Sequence, residues 1–157
     1  MQHIRAFVTR YCSACIGKDR YSGVFDYREF VPSAAYFSGH TRVEIDLLCN
    51  TGKNASTSDL EVCGERRFEQ TSAELEVTVK SIEKAYRNGD VALKADDDPI
   101  ASAYFVKAQK AWQDYRENQC YVETYSLAVA SMRYMTFWDC MARIAKERII
   151  DLQSIGN

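Results

Sequence analysis

From residue 61 onward the chain contains only three glycines (Gly64, Gly89 and Gly156) and one proline, Pro99. Glycine and proline are the residues that most often end helices and turn strands, so this stretch is restricted to a few long blocks. The first block runs from about Glu65 to Asn88. Phe68, Leu75, Val79, Ile82 and Tyr86 recur at steps of three, four and seven, which keeps them on one helical face. Asn88-Gly89 then predicts a helix end with glycine in the left-handed position. The second block opens after Asp96-Asp97-Asp98-Pro99. The aspartates are expected to cap its free N–H groups, and proline suits a first helical turn. Its expected stripe is Phe105, Ala108, Trp112, Tyr115 and Gln119. The third block, from about Ser131 to Gln153, places Tyr134, Trp138, Met141, Ala145 and Leu152 in register. Three helical blocks with short connections and no sustained alternation predict an all-α fold, a small antiparallel three-helix bundle.

The first 40 residues read differently. They hold eight of the 19 aromatic residues and carry five basic against three acidic side chains, whereas the rest carries 15 basic against 19 acidic. We read residues 1–40 as a separate, less regular segment and 41–157 as the helical domain. Val24–Val31 fits either a short strand or a turn of helix, and the aromatics of this segment are expected to pack on the bundle or on a partner.

Charge and composition narrow the function. A net charge of −2 does not suit an electrostatically driven nucleic-acid binder. The longest aliphatic run, Leu127–Ala130, is far too short to span a bilayer. The two histidines, His3 and His40, both precede residue 41, so the helical domain lacks the side chain most used in acid–base catalysis and metal ligation. A binding protein is expected rather than an enzyme, with no cofactor and no metal.

Six cysteines are present. Such a number signals metal or redox chemistry in a reducing compartment and a disulfide framework in an exported protein. Cys12-Ser13-Ala14-Cys15 has the spacing of a redox dithiol or half a zinc site. The helical remainder offers no sheet to carry a thioredoxin-like motif, and Cys49 with Cys63 makes a poor second zinc pair. Asp96–Asp98 lacks the alternation and distal glutamate of a calcium loop. Asn54-Ala55-Ser56 matches a glycosylation acceptor, a short and common motif. Trp112 and Trp138 lie on core stripes. Arg148 falls on the apolar face of the third block, where a cation needs an ion pair or a carbonyl contact. Met1–Arg10 carries two arginines and a histidine with no apolar stretch behind them, so a secretory leader is not expected within this chain.

One combination is more specific. Ala108-Gln109, Trp112, Tyr115-Arg116-Glu117 and Cys120 are followed by Cys140, Arg148 and Leu152, and preceded by Cys49, Cys63 and Ala73-Glu74-Leu75. This pattern, over about residues 48–155, resembles the lysozyme inhibitor LprI-like family of four-cysteine helical envelope domains. It departs from the family at Thr71-Ser72, Leu75-Glu76, Glu117 and Ala145, and the first 40 residues match nothing in it. The resemblance implies that Cys49, Cys63, Cys120 and Cys140 form two disulfides in an oxidising compartment, and that Gln109, Trp112, Tyr115, Arg116, Arg148 and Leu152 are the family's motif residues. With Cys63 before the first helix and Cys120 ending the second, the expected pairing is Cys63–Cys120 with Cys49–Cys140.

The resulting expectation is an exported or periplasmic helical protein that blocks a lysozyme-type peptidoglycan hydrolase by occluding its cleft. The rivals are an immunity protein against a bacterial toxin, a structural envelope domain, and a thiol redox protein using Cys12 and Cys15. Bundle faces are convex, so contact is expected from the connections. One is Asn88–Pro99, with Asp90, Asp96, Asp97 and Asp98; the other is Tyr121–Ala130, with Tyr121, Glu123 and Tyr125.

Overall fold

The computed structural model describes residues 26–128, 130 and 132–155. Two compact units divide after Phe30. In the first, the described residues form a 3-10 turn, Tyr27–Glu29, whose N-terminus is capped by the Asp26 carboxylate accepting the Arg28 N–H at 2.9 Å. The helical alternative for Val24–Val31 holds over these three residues.

The second unit is built of five helices: α1 (Ser33–Tyr36), α2 (Arg42–Thr51), α3 (Thr57–Ala95), α4 (Ala101–Ser126) and α5 (Arg133–Ile155). Local sequence sets most of their ends. Thr41 with Glu44 and Ser56 with Asp59 form reciprocal capping boxes that start α2 and α3. Gly52 closes α2 in the left-handed conformation (φ 63°), its N–H donating to the Leu48 carbonyl at 2.8 Å.

The helix α3 differs from its expected span at both ends. It begins eight residues before Glu65 and runs through Asn88-Gly89 to Ala95, 39 residues in all. Gly64 and Gly89 lie inside it, because a single glycine costs a long, otherwise favourable helix only about 1 kcal/mol. The true stop lies in the aspartates. Asp97 takes the left-handed position (φ 58°), with its N–H directed to the Lys94 carbonyl at 3.4 Å and the Asp98 N–H to the Leu93 carbonyl at 2.9 Å. These residues therefore finish α3 in a Schellman arrangement rather than capping α4. The α4 cap comes from Asp90 instead. Ile100 supplies no side-chain cap, and the buried Asp90 carboxylate accepts the N–H groups of Ala101 (2.9 Å) and Ser102 (3.3 Å) from across the turn.

The three long helices form an up-down-up bundle. α5 lies alongside α3 in the same direction, with Gly64 against Trp138 and Arg67 paired to Asp139 at 2.6 Å. α4 runs opposite, joined to α5 by Arg148–Gln109 near one end and Cys120–Cys140 nearer the other. The core centres on Phe137, Trp138 and Met141 of α5, with Phe68 stacked on Trp138 at 5.7 Å. A second apolar cluster joins Leu75, Phe105, Ala145, Ile149 and Leu152. The α3 and α5 stripes therefore match expectation. The α4 stripe matches only in part: Phe105 is buried and Trp112 packs half-buried against the core, but Ala108 and Tyr115 are exposed, and the buried residues are Phe105, Gln109, Arg116, Cys120 and Thr124. α4 turns a largely polar set inward, which masks its buried face in an apolar periodicity.

The disulfides join Cys49 to Cys63 and Cys120 to Cys140. The expected cross-pairing is overturned because Cys63 lies two turns inside α3 rather than before it. The turn after Gly52 folds α2 back on α3 and sets Cys49 and Cys63 with Cα atoms 5.3 Å apart. The α4–α5 turn does the same for Cys120 and Cys140 at 5.5 Å. Each bridge thus staples one helical hairpin. The first sits in a small cluster with Phe37, Ile45, Leu48 and Val62, so at least one aromatic of the first 40 residues packs on the helical domain. α1 is latched beside it by Ser33, whose N–H and Oγ both donate to the Glu69 carboxylate. Among the described residues, no helix is long and apolar enough to cross a membrane.

Candidate functional site

The motif residues of α4 divide between two faces. Gln109, Trp112 and Arg116 turn toward the bundle, and Tyr115 points to solvent at 57% exposure. Arg148 reaches from α5 and donates through Nε (2.8 Å) and an Nη (2.5 Å) to the Gln109 Oε1, with its guanidinium 5.9 Å from the Trp112 ring centroid. The expected ion pair or carbonyl contact is therefore a side-chain amide and an aromatic face. Arg116 lies over the other rings, 5.0 Å from Trp112 and 5.2 Å from Phe68. Leu152 is fully buried. Guanidinium groups over aromatic faces gain cation–π attraction, which strengthens as water is removed.

Beside this cluster α3 and α4 leave a groove. One hollow of about 440 Å³ is walled by Phe68, Leu75, Trp112 and Arg116, and another of about 350 Å³ by Glu83, Phe105 and Lys110. Val79, Gln109 and Gln113 line both, so the two are continuous. Ser72 Oγ, buried in its wall, has no hydrogen-bond partner among the described residues. Sequence reading missed this groove, because it arises where the polar inward face of α4 fails to fill the space against α3. The hydrogen bond from Lys80 holds the Glu76 carboxyl at its edge below the usual range. Elsewhere the Glu44 and Asp59 carboxyls are lowered, each chiefly by the N-cap it bonds. All three shifts belong to local caps or pairs.

The expected contact residues fall at opposite ends of α4. Asp96, Asp97 and Asp98 are exposed in the α3–α4 turn. Asp90 is not part of that surface: it is 3% exposed and occupied as a cap, so its expected role in a contact loop is withdrawn. Tyr121, Glu123 and Tyr125 lie in the last turns of α4, not in a connection, because the helix continues to Ser126. Tyr121 packs on Phe137 at 5.0 Å and stacks with Tyr125 at 6.0 Å. Glu123 accepts from Gln119 (3.0 Å) and Arg143 (2.9 Å). A separation of about 30 Å along the helix means that the acidic and tyrosine patches form two surfaces. Cys12, Cys15 and His3 lie outside the described residues. Among those described, no group of three His, Cys, Asp or Glu could hold a metal ion.

Two hairpins, each closed by its own disulfide and sharing one core, define a small stapled all-α domain. The model of the family described as lysozyme inhibitor LprI matches residues 49–152, and the chain belongs to that family. A protein of Rhizobium meliloti (strain 1021), the uncharacterized protein R02472, is 30% identical over 105 residues, spanning 66% of this chain and 76% of that one. No solved structure matches the chain.

Proposed function

We propose that this protein is an extracytoplasmic inhibitor of a lysozyme-type peptidoglycan hydrolase and acts by occluding the enzyme's cleft. Membership of the LprI family over residues 49–152 carries this reading. The two disulfides support the compartment, since such bridges persist where the surroundings are oxidising. The mode of action is non-covalent. The exposed Asp96–Asp98 turn draws a basic hydrolase toward one end of the bundle, and the Tyr121–Tyr125 pair with Glu123 offers aromatic anchoring at the other.

The test is turbidimetric. Oxidised, purified protein is titrated into cell-wall suspensions cleared by lysozymes of several structural types. Stoichiometric loss of clearing for at least one type is expected, together with retention of that enzyme on immobilised protein. Full clearing at a large molar excess across the panel, with no enzyme retained, would overturn the proposal.

A further inference from the structure

One side of α4 is apolar yet unused by the bundle. Tyr104, Ala108, Ala111 and Tyr115 step by four, three and four residues, so they form one line along the helix about 16 Å long. All four are exposed, the tyrosines at 62% and 57%. The line lies roughly a quarter-turn from the buried face of Phe105, Gln109, Trp112 and Arg116. An apolar periodicity on a solvent-facing helix signals a partner.

The pattern selects which partner. Read in either direction it is large, small, small, large, so a two-fold axis midway between Ala108 and Ala111 sets like against like in an antiparallel copy. In that register Tyr104 layers on Tyr115 of the second copy and Ala108 on Ala111, the small pair letting the helix axes approach closely. The same two-fold sets Lys107 beside Asp114 of the second copy, and Asp114 beside Lys107, on the flank of the seam. Neither side chain has an ion pair within its own chain among the described residues. Lys107 Nζ lies 5.4 Å from the centroid of the Tyr104 ring, at the edge of the seam. A hydrolase surface would have no reason to match this internal symmetry; a second copy does so by construction.

We infer that the α4 line Tyr104–Ala108–Ala111–Tyr115 is a homodimer seam, packed antiparallel and flanked by reciprocal Lys107–Asp114 pairs. The inference does not depend on the inhibitory reading. So short a seam lies at the small end of specific interfaces, and the dimer dissociates on dilution.

Sedimentation velocity on the full oxidised chain across a concentration series tests it. The sedimenting species should shift from one chain mass to two as concentration rises. Ala111→Glu should hold the protein at one chain mass throughout, with an unchanged helical circular dichroism spectrum. Lys107→Asp and Asp114→Lys should each weaken association at low salt, and the double variant should restore it. A chain that stays monomeric at every concentration would overturn the seam, as would a dimer indifferent to Ala111→Glu. Association weakened by the single charge changes but not restored by the double would overturn the antiparallel register. Were Ala111→Glu to weaken hydrolase binding in a chain already monomeric, the face would belong to the target instead.

Discussion

Position 64 shows how closely α3 and α5 approach. A Cβ there would meet the Cβ of Trp138 at 3.0 Å and its ring at 3.6 and 3.7 Å. Trp138 cannot give way easily, since it is 1% exposed, stacked on Phe68 and edge-on to Phe137 at 5.1 Å. The second glycine of the same helix, Gly89, has nothing within 4 Å of its would-be Cβ. One substitution should therefore act with opposite signs at the two sites. Gly89→Ala gains helix propensity, and urea denaturation should show it more stable by roughly 0.5–1 kcal/mol. At position 64 the same gain is outweighed by overpacking, and Gly64→Ala should lose about 1–3 kcal/mol. Equal stabilisation by both would mean that the helices separate freely at this contact.

Each hairpin depends on its own covalent and capping devices. Non-reducing peptide mapping should recover Cys49 linked to Cys63 and Cys120 to Cys140. Replacing Cys49 and Cys63 with serine should cost about 3 kcal/mol. Hydrogen exchange should rise in α1 and α2 while α3–α5 keep their protection; a uniform rise would show that this staple is global. The Ser56–Asp59 capping box makes a second element-scale prediction. Bonds from the Ser56 hydroxyl and N–H, with a lesser one from Tyr36, lower the Asp59 pKa in the folded state. Its contribution is complete above the unfolded value of about 3.9 and is lost as pH falls through the lower folded value. Ser56→Ala should therefore cost about 1 kcal/mol at neutral pH. The gap from the parent protein should narrow as pH falls below that unfolded value, as denaturation curves at neutral and acid pH would show. Elements with apolar inward faces were legible in the sequence, as the α5 stripe of Tyr134, Trp138, Met141, Ala145 and Leu152 demonstrates. The faces of α4 were not, since Gln109, Arg116 and Thr124 turn inward while Ala108 and Tyr115 turn out. The pairing of cysteines was illegible for a related reason: it hinged on whether α3 starts before or after Cys63, and the capping box at Ser56 went unread.

At the scale of the whole molecule, the split of charge along the chain is the feature that bears most directly on a partner, with 19 acidic against 15 basic side chains after residue 40. The candidate contact residues were legible as polar or aromatic clusters. Their grouping was not, because about 30 Å of α4 separates the acidic turn from Tyr121 and Tyr125. If inhibition begins with electrostatic capture of a basic hydrolase, the Asp96–Asp98 turn is the place to test it, and its backbone makes a clean test possible. Asparagine tolerates the left-handed conformation held by Asp97, so replacing all three aspartates with asparagine removes charge while keeping the Schellman turn. Asp90, the cap of α4, is left intact and preserves the neighbouring helix start. Surface plasmon resonance against the captured hydrolase should then show a slower association rate with a flatter dependence on salt, and little change in dissociation. The association rate should fall by roughly an order of magnitude at low ionic strength and far less near physiological salt, where the Debye length shortens to about 8 Å. An association rate unchanged at low salt would remove the acidic turn from the encounter and leave the tyrosine end of α4 to make it.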